Sequence, residues 1–284
     1  MDTQQGVSEV GDTIAEGWPV VTDYGATYGT TFPSHLRREI ALARGEIEPL
    51  ETVSLVTFKD NAYSWMNLKR IHPLLLKPIQ EKKLDILEGI SFIRYPCDDL
   101  GVRVVGRHYV NKSGEIQVFI VPPADPLMKY LRLNHDISYI AVRSSNISGR
   151  PEEPFAKGAV KYAASIAAPI LAIRSLKSFY TQIEDEHLVK RRLFDKIKRK
   201  RYGSQPIIRL PSVDDEPLIT LVRAGNTHPD VIKKLLKNIL AVGIGFSYLP
   251  EKKIKFKRQM YHLDSQITDP RSIRRLLLKY SNLL

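Results

Sequence analysis

A chain of 284 residues with 43% hydrophobic content is long enough to enclose a substantial core and too apolar to be disordered throughout. No run of about 18 apolar residues occurs, and the N-terminal MDTQQGVSEVGD is polar and acidic, which argues against a membrane span or a secretory leader and sets a cytoplasmic location, with no membrane partner, as the expectation. The excess of 43 Lys and Arg over 31 Asp and Glu, a net charge of +12, draws polyanions and nucleotide phosphates. The single cysteine, Cys97, rules out an intramolecular disulfide and reads as a core or loop thiol; no cysteine pair exists to start a zinc site, and no metal held by the protein is expected.

In chain order, WPVV is a short strand-like run that meets a Gly-containing turn, DYGATYG. Ser34 is a plausible N-cap for a helix over HLRREIALAR, with Leu36, Ile40 and Ala41 on one face and Gly45 just past its end. LVTF (Leu55 to Phe58) reads as the next strand, and in the Leu- and Lys-rich stretch Ile71 to Leu87, Pro73 and Pro78 interrupt any long helix. Between Gly101 and Val121, VRVVGRHYV and EIQVFIV flank the turn sequence NKSG, which predicts a hairpin. DPLMKYLRLN then predicts a short helix, YIAVRSSN a strand, and Ala159 to Leu171 an Ala-rich helix with Pro169 near its end.

Basic residues concentrate in LVKRRLFDKIKRKRYG (Leu188 to Gly203), where Val189, Leu193 and Ile197 lie at helical spacing, so an amphipathic helix with its charges outward is expected. Lys196, Lys198, Arg199, Lys200 and Arg201 are the candidate RNA contacts in this run; the alternative is a solvated helix face. PIIRLPS and LITLVRAG are strand-like, and Val231, Leu235, Leu236 and Ile239 mark a closing helix. Beyond it, a second basic stretch, EKKIKFKRQ, overlaps a β-like KIKFKRQMYHL, and a terminal helix is expected from near Pro270. Without a strict βαβ rhythm, a mixed, twisted sheet with flanking helices fits this pattern best.

The most distinctive cluster for chemistry is RSSNISGRPEE, Arg143 to Glu153, directly after a predicted strand. Short hydroxyls, one amide and a glycine suit a phosphate or a carboxylate, and equally a polar turn in which Asn146 and Ser148 bond their own backbone.

SSNISGRPEE resembles the Ser-Ala-Asn-x-Ser-Gly signature of the YrdC family, and PSVDDEPLITLVRAGNT is similar to that family's late Ser-Thr-Val-Val-Asp…Leu-Arg-x-Gly element. A third stretch, EGWPVVTDYGATYG, aligns without gaps to the early Pro-Thr-Asp-Thr-Val-Tyr-Gly motif and shares Tyr28 and Gly29, while PLETVSLV sits at the Pro-Leu-Ser strand. The resemblance implies a YrdC-like α/β fold, a twisted mixed sheet with flanking helices around a basic concave cavity. It spans residues 10 to 240, with the hairpin near 101–121, a basic helical insertion near 180–203 and a basic C-terminal extension over 241–284. It implies ATP as the ligand, with Mg, and the synthesis of threonylcarbamoyl-adenylate from ATP, threonine and bicarbonate for tRNA modification. On the matching positions, Ser144, Asn146, Ser148, Ser212 and Arg223 are implied as nucleotide-binding residues; a guanidinium can hold a phosphate or carboxylate through two parallel bonds.

The departures fall on the substrate side, around Ala26, Tyr28, Arg44 and Glu46. Ala26 stands where the family keeps a substrate-binding Thr, Asp23 and Gly25 replace its Pro and Asp, and its Lys-x-Arg pair has become Arg44-Gly45-Glu46. The Arg that the family places before a Pro at the end of a middle strand aligns with Ile120 or Val121, ahead of Pro122. Loss of cations, and a carboxylate near a triphosphate, impair the standard reaction unless Arg37, Arg38 or Arg44 compensates. A divergent nucleotide- or RNA-binding protein, acting on a different substrate if it is an enzyme, is therefore preferred to the standard synthase, a nucleotidyltransferase. A protein partner docking on the basic helix and C-terminal extension is the third reading.

Overall fold

The computed structural model describes residues 4–23, 28–33, 36, 53–144, 162–164, 168, 170–172, 205–225 and 227–249. Its strands are β1 (Val20–Asp23), β2 (Tyr28–Phe32), β3 (Ser54–Phe58), β4 (Phe92–Pro96), β5 (Glu115–Val121), β6 (Tyr139–Ser144), β7 (Ile170–Ala172), β8 (Ile207–Arg209), β9 (Leu218–Arg223) and β10 (Gly245–Tyr248). Among the described residues they form one ten-stranded sheet in the order β10-β9-β8-β4-β5-β3-β6-β2-β1-β7. Pairing is mixed: β3 with β5, β4 with β8, β9 with β10 and β1 with β7 run parallel, and the other neighbours run antiparallel.

The helices are α1 (Gln4–Ala15), α2 (Lys59–Ser64), α3 (Pro73–Gln80), α4 (Asp99–Val105), α5 (Pro126–His135), α6 (Pro229–Leu235) and α7 (Lys237–Leu240). Alternation along each strand sends successive side chains to opposite faces, and the apolar ones divide into two clusters. Leu55, Ile93, Tyr95, Val118, Ile208 and Leu221 are buried on one face with Ala62 of α2, Leu75 of α3 and Ile232 of α6. Val56, Phe92, Phe119, Ile140 and Val142 are buried on the other with Val10 and Ile14 of α1 and Leu127, Met128 and Leu131 of α5. Both faces are therefore covered, and the strands carry apolar residues at odd and even positions alike.

Several predicted elements are present as expected. The WPVV run leads into β1, LVTF lies in β3, YIAVRS is β6, and PIIRL and LITLVR supply β8 and β9. DPLMKYLRLN is α5, with Pro126 in the first turn and the Asp125 carboxylate accepting from Met128 N at 2.9 Å. The closing helix is two short helices in series, α6 and α7. In α3, Pro73 is at the start and Pro78 near the end, and the helix stops after eight residues.

Two predicted elements are corrected. The hairpin over 101–121 is absent: VRVVGRHYV forms α4 and a 3-10 turn over Arg107–Tyr109, and only EIQVFIV is a strand. The β-branched run is overridden by its cap, since the Asp98 carboxylate accepts from Gly101 N at 2.6 Å, and by the burial of Val105 and Tyr109 in the core. The NKSG turn is real, with Gly114 at φ 75, but it feeds β5 from a helix. The Ala-rich helix also does not reach Leu171, because Ile170–Ala172 is strand β7, parallel to β1; residues 162–164 are helical. Two elements went unread in the sequence, the N-terminal α1 and the strand β10, which lies past residue 240 and is outermost on its side among the described residues. The predicted helices after Ser34, over the basic run and at the C-terminus, and the β-like KIKFKRQMYHL, lie outside the described residues, apart from Leu36.

Candidate functional site

The register of the sheet assembles a polar row that interrupts the apolar strands. Ser54 lies opposite Gln117, Gln117 opposite Arg94, Arg94 opposite Arg209, Arg209 opposite Thr220 and Thr220 opposite Ser247. Six neighbouring strands thus each place one polar side chain on the same face, continuing the face that carries Phe92, Phe119 and Val56. The row is bonded in two stretches, one at each end. Arg94 Nη2 donates to Gln117 Oε1 at 2.9 Å, Gln117 Nε2 donates to Ser54 Oγ at 2.6 Å, and the Thr220 and Ser247 hydroxyls are 3.0 Å apart.

Two residues before Gln117 on the same face, Glu115 is 3% exposed. Its carboxylate accepts from Arg209 Nε at 2.6 Å and from Asn111 Nδ2 at 3.1 Å. Arg209 also reaches Asp215 Oδ2 at 3.0 Å, and that oxygen accepts from Ser212 N at 2.8 Å. Burial works against the Arg209 charge, and the Glu115 and Asp215 carboxylates more than offset it, holding its pKa above the ordinary guanidinium value. The result is a half-buried guanidinium fixed between two carboxylates, next to a second guanidinium, Arg94, whose side chain is directed by a neutral amide.

The predicted residues fall into two groups. Ser144 ends β6 two residues beyond Val142, which is paired with Ser54, so it shares the face of the polar row and lies diagonally across from Ser54. Gly29 is opposite Ser144, so the early motif and the signature meet on neighbouring strands, with Tyr28 at the start of β2. Ser212 sits in the turn after β8, bridged to Ile71, with its N–H committed to Asp215. Arg223 is placed differently: β9 is separated from β6 by β8, β4, β5 and β3, and Arg223 lies opposite Ile207 at a β-bulge, at the other end of the strands from Ser144. From strand spacing alone that is roughly 24 Å across the sheet. Its guanidinium donates to Gln205 O at 3.1 Å. Strand pairing therefore does not bring Arg223 beside Ser144. Ala26, Arg44, Glu46, Asn146, Ser148, Lys196, Lys198, Arg199, Lys200 and Arg201 lie outside the described residues.

The positions aligned with the family's middle-strand Arg are apolar core. Ile120 is 3% and Val121 6% exposed, the first in the cluster with Leu55 and Val118, the second in the cluster with Phe92 and Phe119. Sequence reasoning missed Arg94, Gln117, Glu115 and Arg209, which lie in no recognised motif, and Ser54, which lies in the PLETVSLV stretch but was not singled out. The signal available was a polar residue interrupting each apolar run, Arg94 in SFIRYP, Gln117 in EIQVFIV and Arg209 in PIIRLP. Cys97 is buried, and burial, then the nearby Asp98 and Asp99, push its thiol up to about 12. Among the described residues no group of three His, Cys, Asp or Glu could hold a metal ion, and no helix is long and apolar enough to cross a membrane.

A large mixed sheet with helices on both faces and a polar band across otherwise apolar strands defines an α/β protein with a sheet-face site. Solved structures with this architecture are Sua5 and its relatives, so the fold is YrdC-like. Sua5 of P. abyssi, with two substitutions, is 15% identical with a TM-score of 0.55, over 87% of this chain and 59% of that one. YciO of E. coli is 13% identical with a TM-score of 0.53, over 81% and 93%. The hypothetical protein smu.1377c from Streptococcus mutans is 12% identical with a TM-score of 0.56, over 87% and 93%. No protein-family model and no curated protein matches the chain.

Proposed function

We propose that the chain is a divergent YrdC-like nucleotide-binding protein in which the threonine side of the ancestral reaction has been altered, so that nucleotide binding and threonine-dependent chemistry are uncoupled. The observation that carries this reading is the apolar burial of Ile120 and Val121, the two positions aligned with the family's middle-strand Arg. A cation cannot be supplied there without opening one of the two cores. The altered Ala26, Arg44 and Glu46 extend the same change along the sequence. Support for a nucleotide comes from the fold: HypF, 10% identical with a TM-score of 0.50, has been solved in a phosphate- and nucleotide-bound form, whereas Sua5 of P. abyssi has been solved complexed with L-threonine.

In this reading Ser144, Asn146 and Ser148 hold ATP with its Mg at the end of β6 and Ser212 adds a hydroxyl, while Arg223, far across the sheet, is not part of this site. Lys196, Lys198, Arg199, Lys200 and Arg201 add affinity for RNA, and a protein partner at the C-terminal extension is the competing use of the basic segments. The test is calorimetric ATP binding alongside pyrophosphate release from ATP, bicarbonate and threonine. The expected result is saturable ATP binding with little pyrophosphate release. Turnover like that of an ordinary synthase overturns the reading and restores a threonylcarbamoyl-adenylate synthase.

A further inference from the structure

The hydrogen-bond chain Arg94–Gln117–Ser54 has a fixed direction. A guanidinium can only donate, so the Gln117 oxygen must face Arg94 and its nitrogen must face Ser54. The nitrogen in turn can only donate, so Ser54 Oγ accepts at 2.6 Å and its own hydrogen is directed elsewhere. That hydrogen has no acceptor among the described residues. Gln117 is 4% exposed, so the amide cannot turn to water for another arrangement, while Ser54 is half-buried at the start of β3. Its hydroxyl sits on the face of Ser144, opposite Val142 and diagonal to the signature serine. A relay that starts on a cation and is polarised from donor to acceptor at each step ends in a strengthened donor.

We propose that Ser54 is a ligand-binding residue: its hydroxyl, polarised by Arg94 through Gln117, donates to an oxyanion, a phosphoryl or carboxylate oxygen, of the molecule held at the β6 end. This rests on the nucleotide-site reading above and adds a subsite to it. The relay sets what the subsite accepts. A ligand donor finds the hydroxyl oxygen already engaged by the amide, and an anion meets a hydrogen backed by a guanidinium two bonds away.

The full-length protein is titrated calorimetrically with ATP, inorganic pyrophosphate and L-threonine, as wild type and as Ser54→Ala, Ser54→Thr, Gln117→Glu and the double variant Ser54→Ala with Gln117→Glu. Ser54→Ala is expected to weaken a bound oxyanion about tenfold and to lower the unfolding temperature modestly, since the buried Gln117 amide loses its acceptor, and Ser54→Thr to restore both. The carboxylate introduced by Gln117→Glu can only accept, so it would take the serine hydrogen and reverse the last bond; this variant should weaken binding while the hydroxyl remains. Adding Ser54→Ala to it should then change little, whereas independent roles would add. Loss confined to ATP and pyrophosphate assigns a phosphoryl oxygen, and loss confined to threonine a carboxylate. Wild-type affinities in Ser54→Ala, or additive effects in the double variant, overturn the relay and leave the nucleotide reading intact. Binding of pyrophosphate without ATP removes the nucleotide reading, and the same variants then decide the subsite on pyrophosphate. A wild type that binds none of the three overturns both.

Discussion

Glu115 carries a carboxylate into a site that is 3% exposed, and it is tolerated there because Arg209 and Asn111 occupy both of its oxygens. Removing one partner of such a pair costs more than the pair contributes, because the remaining group is left desolvated. Glu115→Gln is expected to lower stability by about 2 kcal/mol in urea denaturation; this is below the usual range for a buried pair, since Arg209 is partly exposed and keeps Asp215. Arg209→Gln in the same background should add much less than it does alone, and full additivity would show that the two side chains are not coupled. Cys97 makes a second residue-scale prediction. With its thiol pushed up to about 12, chiefly by burial, it should resist a thiol reagent at pH 8 in the folded state and react only as fast as the protein opens. Rapid labelling of the folded chain would contradict its placement behind Gly101, where even an added Cβ would lie 2.5 Å from the sulfur.

At the scale of elements, the packing of α1 on α5 was invisible in the composition of a polar N-terminus. Val7, Val10 and Ile14 recur at helical spacing and are buried, and Gly11 lies so close to the Tyr130 ring that a Cβ there would collide with it. Gly11→Ala should therefore separate the two helices and lower stability by about 1 to 3 kcal/mol, read as a shift in the denaturant midpoint at unchanged slope. Beside it, Asp12 Oδ1 accepts from Tyr130 Oη at 2.9 Å and lies 2.7 Å from His135 Nε2. The Tyr130 hydrogen bond first, and then His135, hold the Asp12 carboxyl below its ordinary value of 3.8. A lowered folded-state pKa contributes stability that is present above the unfolded value and is lost as the pH falls through the folded one. Hydrogen-exchange protection of α1 should accordingly decline below pH 3.8, and Asp12→Asn should flatten that decline. The misread hairpin teaches the converse. VRVVG has the residues of a strand, and its helix is set by the Asp98 cap and by two buried anchors, Val105 and Tyr109.

For the molecule as a whole, β10 is the last strand at one side of the sheet among the described residues; it pairs in parallel with β9 and packs Gly245 under Leu218. A chain cut after Leu240 would expose the β9 edge and lose the Thr220–Ser247 contact. It is expected to melt at least roughly 5 °C lower than a chain cut after Leu249 and to aggregate on heating; equal melting of both would show that β10 is dispensable. By itself the sequence determined the α/β class, the strands around LVTF, YIAVRS and LITLVR, and the helix over DPLMKYLRLN. These rest on local signals, namely alternation, caps and short motifs, which survive without knowledge of neighbours. The tertiary structure alone decided that four strands lie between β6 and β9, that Ile120 and Val121 face two different cores, and that Ser54, Gln117 and Arg94, from segments far apart in sequence, form one directed chain. Register across a mixed sheet depends on which strands pair and in which direction, and that choice is made by burial of both faces together rather than by any one segment.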